Sequence, residues 1–151
     1  MEGLRKLKLE DKIPFELLLL ADETIEAIEK YIYDCDVFIL ERANETIAVF
    51  ALLKIDKNDV EIKNIAVNKD YQGEGIGSYL LSRIKEISKQ THVSRIIVGT
   101  PDVSDMQIGF YEKNGFKKFD VKKNFFVNNY SLPIIENGIQ LRDMQMLQHT
   151  L

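Results

Sequence analysis

The sequence predicts an α/β (α+β) fold, a single domain whose mixed central sheet is flanked by helices on both faces. Several strand-like segments precede the first strand–helix–strand unit, so the strands cannot all be parallel. Residues 47–53 are apolar at every position, as expected for a strand covered on both faces. The length of 151 residues suits one domain with a sizeable core, so we assign 1–151 to a single domain.

The first half of the chain is predicted to begin with an edge strand, continue with two helices and then form three strands: 4–9, 15–21, 24–33, 36–42, 46–55 and 59–67. Pro14 suits the first turn of the first helix. In the second helix, Ile25, Ile28 and Ile32 recur at spacings of three and four residues. A short turn at Asn44-Glu45 joins the first two of the three strands.

The second half is predicted to contain a helix, a short buried strand, a second helix and two closing strands: 75–90, 95–98, 104–114, 116–126 and 139–147. The first of these helices has apolar residues along one face, namely Ile76, Leu80, Ile84 and Ile87. Ser104 and Gln107 fit a capping box, and Gly115 stands where a helix-ending glycine belongs.

Composition excludes several classes of protein. The net charge of −4 gives no electrostatic footprint for nucleic acid. Cys35 is the sole cysteine, so no intramolecular disulfide forms, and we expect a reducing, cytoplasmic setting. We expect no signal peptide and no membrane span, since no apolar run is long enough. His92 and His149 lack metal-ligand spacing, so no metal site is predicted.

A glycine loop, YQGEGIGSYLL, joins a predicted strand to a predicted helix and contains Gly73, Gly75 and Gly77. Unpaired N–H groups at a helix N-terminus favour an anion, most often phosphate. A Walker A loop fails because no lysine follows the last glycine, and a dinucleotide fingerprint fails because Ser78 and Leu80 stand where glycine is required. The other interpretation is a tight turn that packs a helix on a sheet.

The strand before this loop changes phase. Val60 and Ile62 alternate, as do Ile65 and Val67, but one extra residue separates the two pairs near Lys63-Asn64. This pattern predicts a β-bulge, a feature that frees backbone groups and often flanks sites. A strand buried on both faces, with no phase to lose, would give the same pattern.

Three stretches together resemble the GNAT superfamily of acyl-CoA-dependent N-acyltransferases: IKNIAVNKDYQGEGIGSYLL, IIVGT and IGFYEKNGF. Within the first, QGEGIG matches the family signature Gln/Arg-x-x-Gly-x-Gly/Ala. The resemblance is good over residues 36–120, and the order of strands and helices fits it along the whole chain.

The resemblance implies acetyl-CoA as cofactor. Its pantetheine arm would pair with the backbone of Ile65, Ala66 and Val67 like an added strand. Its pyrophosphate would lie on main-chain N–H groups of the loop, namely those of Gln72, Gly73, Glu74, Gly75, Ile76, Gly77 and Ser78. The family often has an asparagine seven residues before its late tyrosine, and here that position is Ser104, so this contact is expected to be lost or altered.

Acetyl transfer to an amine requires removal of a proton, because an alkylammonium with a pKa of about 10.4 is not a nucleophile. The resemblance assigns Glu61 as the general base, Tyr111 as the acid that protonates the departing thiolate, and the Val67 N–H as the oxyanion donor. From the pattern alone, Glu61 fits a solvent-facing strand residue almost as well, and Tyr111 fits a core aromatic.

The acceptor is expected to be an amine, and a cationic one if the acidic residues of 15–29 line its site: Glu16, Asp22, Glu23, Glu26 and Glu29. A solvated helix face explains these acids equally well. Four residues of a later connection are expected to form the other wall of the acceptor site or a homodimer contact: Phe125, Phe126, Tyr130 and Pro133. Two other classes stay open, namely a non-catalytic acyl-CoA-binding or regulatory domain and a nucleotide-binding module. Cys35 has two interpretations, an acyl-carrying nucleophile or a small buried hydrophobic residue.

Overall fold

The computed structural model describes residues 3–151, so residues 1 and 2 of the predicted domain lie outside the described residues. The described part has strands β1 (Leu4–Lys6), β2 (Asp36–Arg42), β3 (Glu45–Lys54), β4 (Asp59–Val67), β5 (Arg95–Pro101), β6 (Lys117–Lys122), β7 (Ile135–Glu136), β8 (Ile139–Gln140) and β9 (Met144–Thr150). Its α-helices are α1 (Phe15–Leu18), α2 (Ile25–Glu29), α3 (Ile76–Gln90), α4 (Asp105–Lys113) and α5 (Phe125–Asn129). Short 3₁₀ turns lie at Ile32–Asp34 and Lys69–Tyr71.

One mixed sheet organises these elements, in the order β1-β2-β3-β4-β5-β9-β6. Strands β4 and β5 are parallel, and the other neighbouring pairs are antiparallel. Helices α3 and α4 pack on one face of the sheet, and α1 and α2 pack on the other. The predicted mixed sheet with helices on both faces is therefore confirmed.

Strand β3 is the centre of the core. Its residues from Ile47 to Leu52 are all buried, because alternate side chains enter different clusters. Phe50 belongs to the cluster beneath α3 and α4, whereas Val49 and Ala51 belong to the cluster beneath α1 and α2. The uninterrupted apolar run is thus explained by cover on both faces.

The predicted bulge in β4 is confirmed. Ala51 of β3 pairs with Asn64, but the next residue, Leu52, pairs with Ile62, so Lys63 is the extra residue. A bulge shifts which side chains face each side of a strand. Ile62 before the bulge and Ile65 after it consequently pack against the same cluster under α3.

Strands β4 and β5 part at this bulge. They pair only from Asp59 with Arg95 to Ile62 with Val98. Beyond that point β5 continues to Pro101 against β9, while β4 continues to Val67 against β3. The sheet therefore contains a V-shaped gap between two strands that still belong to it.

An ion pair holds the closed end of this gap. Arg95 donates two hydrogen bonds to the Asp59 carboxylate, at 3.1 Å from Nε and 2.7 Å from Nη2. The same guanidinium donates to Gln148 on β9 at 2.8 Å and lies 4.8 Å from the centre of the Phe119 ring on β6. One side chain thus links four strands where β4 and β5 still pair.

The helices near the N-terminus are shorter than predicted. Strand β1 ends at Lys6 and helix α1 at Leu18. Thr24 caps α2 by accepting the Ala27 N–H at 3.1 Å, but α2 ends at Glu29 rather than at residue 33. Tyr31 leaves helical geometry, with φ −129°, and its hydroxyl donates to Asp22. A tertiary hydrogen bond therefore overrides the helical spacing of the isoleucines.

The turn between β2 and β3 lies one residue earlier than predicted. Ala43 and Asn44 both have positive φ, at 51° and 64°, so they form the two central residues of the hairpin turn. Strand β3 accordingly begins at Glu45 rather than at residue 46.

The closing strands were wrongly extended by the sequence pattern. Asn124 adopts a left-handed conformation with φ 55°, so the chain reverses after Lys122 and Phe125 and Phe126 enter α5. The predicted strand 139–147 is interrupted after Gln140. The capping box is also wrong, because the Ser104 side chain caps nothing and the Gln107 amide oxygen accepts from the Thr100 hydroxyl. Gly115, with φ 91°, ends α4 as predicted.

Asp59→Asn is predicted to loosen the closed end of the gap. The Arg95 hydrogen bonds hold the pKa of Asp59 below its ordinary value. The stabilisation by the carboxylate is therefore present above the unfolded-state pKa of about 3.9 and is lost as pH falls through the folded pKa. We expect the variant to lose about 1 kcal/mol of unfolding free energy at neutral pH.

Urea unfolding measures this loss, with the exposed Glu10→Gln as control. In a second measurement at a more acidic pH the difference from wild type should shrink, because protonation of the Asp59 carboxylate as pH falls through its folded pKa removes the charge that binds Arg95. An equal loss at both pH values would show that Asp59 acts through its shape and not through its charge.

Candidate active site

The loop before α3 presents a helix N-terminus without a side-chain cap. Gly73 and Gly75 have φ of 82° and 81°, and a Cβ built on either would meet no atom within 4 Å. Gly75 is the N-cap and contributes no side-chain hydrogen bond. The first N–H groups of the 15-residue helix α3 are thus available to an anion.

Gly77 has a different role from the two glycines before it. It lies inside the first turn of α3, and a Cβ there would come within 3.1 Å of Cζ of Phe110. Glycine at this position therefore lets α4 pack closely on α3. Backbone access to an anion explains Gly73 and Gly75, while helix packing explains Gly77.

The free edge of β4 faces the gap. Asn68 donates its N–H to the Ile47 carbonyl at 2.7 Å, and alternate residues of an antiparallel strand point their backbone groups to opposite sides. The backbone groups of Ile65 and Val67 consequently face the gap, whereas those of Ala66 face β3. Gln72 donates its side-chain amide to the Val67 carbonyl at 2.9 Å, so the N–H of Val67 is the group left towards the gap.

Side chains around the loop fix its position. Arg42 donates to Glu74 at 3.3 Å and lies 5.3 Å from the centre of the Tyr71 ring. Ser78 accepts from Asn114 at 3.2 Å, which links the first turn of α3 to the end of α4. Ser104 is half-buried at the start of α4.

A cavity of about 560 Å³ lies on the opposite face, beside α2 and the connection between α1 and α2. Glu61 of β4 lines it and is 8% exposed, which makes the interpretation of Glu61 as a solvent-facing residue wrong. The Glu61 Oε1 atom lies 3.7 Å from Nζ of Lys63. Other lining residues come from the α1–α2 connection, β5, α5 and the segment around β7, among them Asp22, Gly99, Phe126, Tyr130 and Glu136.

A hydrogen-bond network centred on Asp22 builds the outer wall of this cavity. Its carboxylate accepts from the hydroxyls of Tyr31 at 3.0 Å and Tyr130 at 2.7 Å. Asn64 donates to the Tyr31 hydroxyl at 3.1 Å and to the Leu18 carbonyl at 3.0 Å. Burial raises the pKa of both tyrosines above its usual range, and hydrogen bonds to Asp22 add to that rise. Both phenols are therefore donors in this wall.

Tyr111 lies on the other face of the sheet, in the cluster beneath α3 and α4. Its ring packs edge-on against Phe110 and Phe116 at centroid distances of 5.2 and 5.6 Å. Burial alone raises the pKa of its phenol above the usual range, so the hydroxyl keeps its proton at every physiological pH. Tyr111 does not line the cavity that contains Glu61. The two residues lie on opposite faces of the sheet, and the gap between β4 and β5 is where the pairing between these two strands is interrupted.

Sequence reasoning missed several residues of this site. The pair Lys63-Asn64 was predicted as the place of the bulge, but Lys63 was not predicted as a charged group in the cavity. The hydrogen bond between Asn64 and Tyr31 was missed because 33 residues separate them. The phase change at the bulge was the sequence signal that could have identified Lys63 as a site residue, since it marks where β4 turns a residue towards the gap.

Cys35 does not fit an acyl carrier. It is half-buried, and burial raises the pKa of its thiol to about 12, so the reactive thiolate is disfavoured. Among residues 3–151, no set of three or more His, Cys, Asp or Glu side chains is arranged to hold a metal ion. The helices of the same residues are all too short or too polar to span a bilayer.

Comparison with known proteins identifies the class. The family described as acetyltransferase (GNAT) domain matches residues 33–118. The N-acetyltransferase YvbK of Bacillus subtilis is 35% identical over 133 residues, which cover 88% of this chain and 86% of YvbK. A GNAT family acetyltransferase from Elizabethkingia anophelis, solved with acetyl-CoA bound, superposes with a TM-score of 0.95 at 37% identity and covers 99% of this chain and 97% of its own.

A second solved structure, an IAA acetyltransferase from Bacillus cereus, has a TM-score of 0.90 at 36% identity, with 98% of both chains covered. The chain belongs to the GNAT family of acetyltransferases. As a member of this family it is an acetyl-CoA-dependent N-acetyltransferase. This membership excludes the nucleotide-binding module.

The residues present fit the cofactor. An uncapped helix N-terminus suits a pyrophosphate, and the free edge of β4 suits an extended arm that pairs with backbone groups. The family match covers residues 33–118. Much of the cavity wall lies outside this range, including Tyr31 before it and Tyr130 after it.

Gly75→Val is predicted to abolish the rise in melting temperature that acetyl-CoA produces. A β-branched residue is strained at φ 81°, and its side chain would occupy the open space above the helix N-terminus. Thermal unfolding with and without acetyl-CoA measures the effect. Gly138→Val is the matched control, because Gly138 has a similar φ of 77° in the β7–β8 hairpin. An undiminished rise in Gly75→Val would place the cofactor away from this loop.

Proposed function

We propose that the protein transfers the acetyl group of acetyl-CoA to a primary amine of a small molecule or protein, by direct attack within a ternary complex. The observation that carries this proposal is the gap between β4 and β5. One end of the gap leads to the uncapped N-terminus of α3. The buried carboxylate of Glu61, on β4, lies at the other end of the gap. Both reactants can therefore meet without a covalent enzyme intermediate, and Cys35, the sole cysteine, is a poor nucleophile.

The proposed cofactor site is built from backbone groups. Ile65 and Val67 would pair with the extended arm, and the amides from Gln72 to Ser78 would hold the pyrophosphate. Ala66 contributes by fixing the strand to β3, and Ser104 stands where the family often has asparagine. Bound acetyl-CoA supplies an acetyl group activated as a thioester.

Glu61 is the proposed general base. A primary amine is a cation at neutral pH, so a buried carboxylate at the end of the gap both attracts it and accepts its proton. The cation in this proposal is the ammonium group itself. The cavity walls support nothing more strongly cationic, because Lys30, Lys63 and Lys122 also line them.

Tyr111 is the proposed general acid, and its raised pKa keeps a proton available on the phenol. The Val67 N–H, which faces the gap, is the proposed donor to the acyl oxygen. In the overall reaction one N–C bond forms and one C–S bond breaks. The ammonium passes one proton to Glu61 before the attack, and Glu61 releases that proton to solvent. The nitrogen loses a second proton to solvent as the N–C bond forms, Tyr111 supplies a proton to sulfur, and solvent reprotonates Tyr111, so one proton is released in each turnover.

A cytoplasmic location and a homodimer complete the proposal. Cys35 supports the first, because a single half-buried thiol suits a reducing compartment. Three strongly exposed apolar side chains near the β7–β8 hairpin support the second, Leu132, Ile135 and Ile139, since exposed apolar groups often mark contacts between chains.

Glu61→Gln is predicted to lower turnover at neutral pH by about 10²–10³-fold, within the range of general base catalysis. The deficit should shrink as pH approaches the amine pKa, because the acceptor then loses its proton unaided. Release of free thiol from acetyl-CoA across a pH series measures it. Glu16→Gln is the control, an exposed acid at the start of α1. Wild-type turnover in Glu61→Gln at neutral pH would remove Glu61 from the mechanism.

Tyr111→Phe is predicted to lower turnover by about 10²-fold, the lower end for general acids, because a thiolate is already a tolerable leaving group. The ring and its packing are kept, so stability and acetyl-CoA affinity should barely change. Tyr33→Phe, an exposed tyrosine at 65%, is the matched control. Full activity would sink the assignment. Equal losses of binding and turnover would make Tyr111 a packing residue.

A further inference from the structure

The charges of the acceptor cavity are mixed rather than acidic. Of the acidic residues in 15–29, Asp22 and Glu23 line it, and Glu61 and Glu136 join them, but three lysines line it as well: Lys30, Lys63 and Lys122. A cavity built for a polycation would not place three ammonium groups along its walls.

Most of these carboxylates already have partners. Asp22 accepts from two tyrosine hydroxyls and from the Glu23 N–H. Burial and the neighbouring Glu136 raise the pKa of Glu23, so this pair disfavours full ionisation. Among residues 3–151, Glu61 is then the cavity carboxylate to which no group donates a hydrogen bond, and the ammonium beside it is that of Lys63.

Lys63 is held at the cavity floor by the bulge. Its side chain is 27% exposed, and Nζ lies 5.4 Å from the centre of the Tyr31 ring and 3.7 Å from Glu61 Oε1. That separation exceeds a hydrogen bond, so the two charges attract each other without saturating either group. An ammonium has three donors, and among the described residues none accepts from Lys63. The arrangement has room for an anion.

We infer that the acceptor is a small zwitterion, an amine that also carries an anionic group, with the ammonium bound by Glu61 and the anion bound by Lys63. This inference rests on the proposed function, in which Glu61 receives the amine. A zwitterion replaces both partners of the Glu61–Lys63 pair at once. An amine without an anion would instead place its own positive charge beside Lys63, and like charges in a cavity repel.

Size favours a small molecule over a protein terminus. A volume of about 560 Å³ is typical of small-molecule sites. In a peptide, an amide replaces the carboxylate nearest to the terminal amine, so Lys63 would gain no anion. A carboxylate and a phosphonate both present a negative charge to Lys63, and the experiment separates them.

The experiment compares matched acceptors by thiol release from acetyl-CoA. The panel contains the protein amino acids, their carboxamides, the corresponding simple amines and aminoalkylphosphonic acids. Wild type is expected to use an acid-bearing member at least about 10-fold better, in kcat/KM, than its uncharged counterpart. The better of the carboxylate and phosphonate series identifies the anion.

Lys63→Met removes the charge and keeps most of the apolar stem. It is expected to raise KM for the preferred acceptor by about 10–100-fold and to abolish the preference over the carboxamide, with the acetyl-CoA melting shift unchanged. Lys57→Met, in the exposed turn before β4, is the control and should keep both. Calorimetric titration of the preferred acid in the presence of CoA gives the same comparison without turnover.

The outcomes are distinct. Turnover of simple amines as good as that of the acids, or an unchanged preference in Lys63→Met, overturns the zwitterion and leaves the transferase standing. Absence of turnover across the panel, with acetyl-CoA still bound, counts against both the proposed small-molecule acceptor and this inference. A collapse of melting temperature in Lys63→Met alone would assign Lys63 to the stability of the bulge and overturn its binding role.

Discussion

The parting of β4 from β5 is the constraint on which the site depends. Two parallel strands begin paired and are pinned there by Asp59 and Arg95, yet one extra residue, Lys63, turns β4 away before β5 has ended. Unpaired strand edges inside a core are costly unless a partner satisfies them. In the proposed function, the pantetheine arm of acetyl-CoA takes the place of the missing strand at this edge. The same residue that opens the sheet also brings an ammonium into the acceptor cavity.

The two faces of the sheet differ in how their residues are held in place. The face beneath α3 and α4 is a continuous apolar cluster that fixes the helix N-terminus and the ring of Tyr111. The other face carries short helices and a wall tied by polar side chains around Asp22. Rigid packing suits a ligand whose phosphates and arm need fixed backbone donors. Individually placed charges suit recognition of one acceptor among many amines.

The order of strands and helices up to β6, the bulge and the glycine loop were predicted from the sequence, because each depends on local alternation or on residues a few positions apart. Interactions between segments far apart in the chain were not predicted. Tyr31 was predicted to lie in a helix, but its hydroxyl donates a hydrogen bond to Asp22 and the residue lies outside α2. The Gln107 amide oxygen accepts from the Thr100 hydroxyl and does not cap α4. Asn124 looked like part of a strand because nothing nearby marks its left-handed turn. Family resemblance supplied the roles of Glu61 and Tyr111, and the structure added their burial.

The wall around Asp22 has a consequence for the timing of each catalytic cycle. It joins segments 108 residues apart through a single carboxylate, and α5 and the β7–β8 hairpin are short elements that pair with no strand of the main sheet. Segments with few backbone ties open at lower free energy than the sheet that supports them. Opening of this wall requires the release of two phenol hydrogen bonds and leaves the main sheet and α3 in place, so in the proposed function departure of the acetylated product is a separate, local motion.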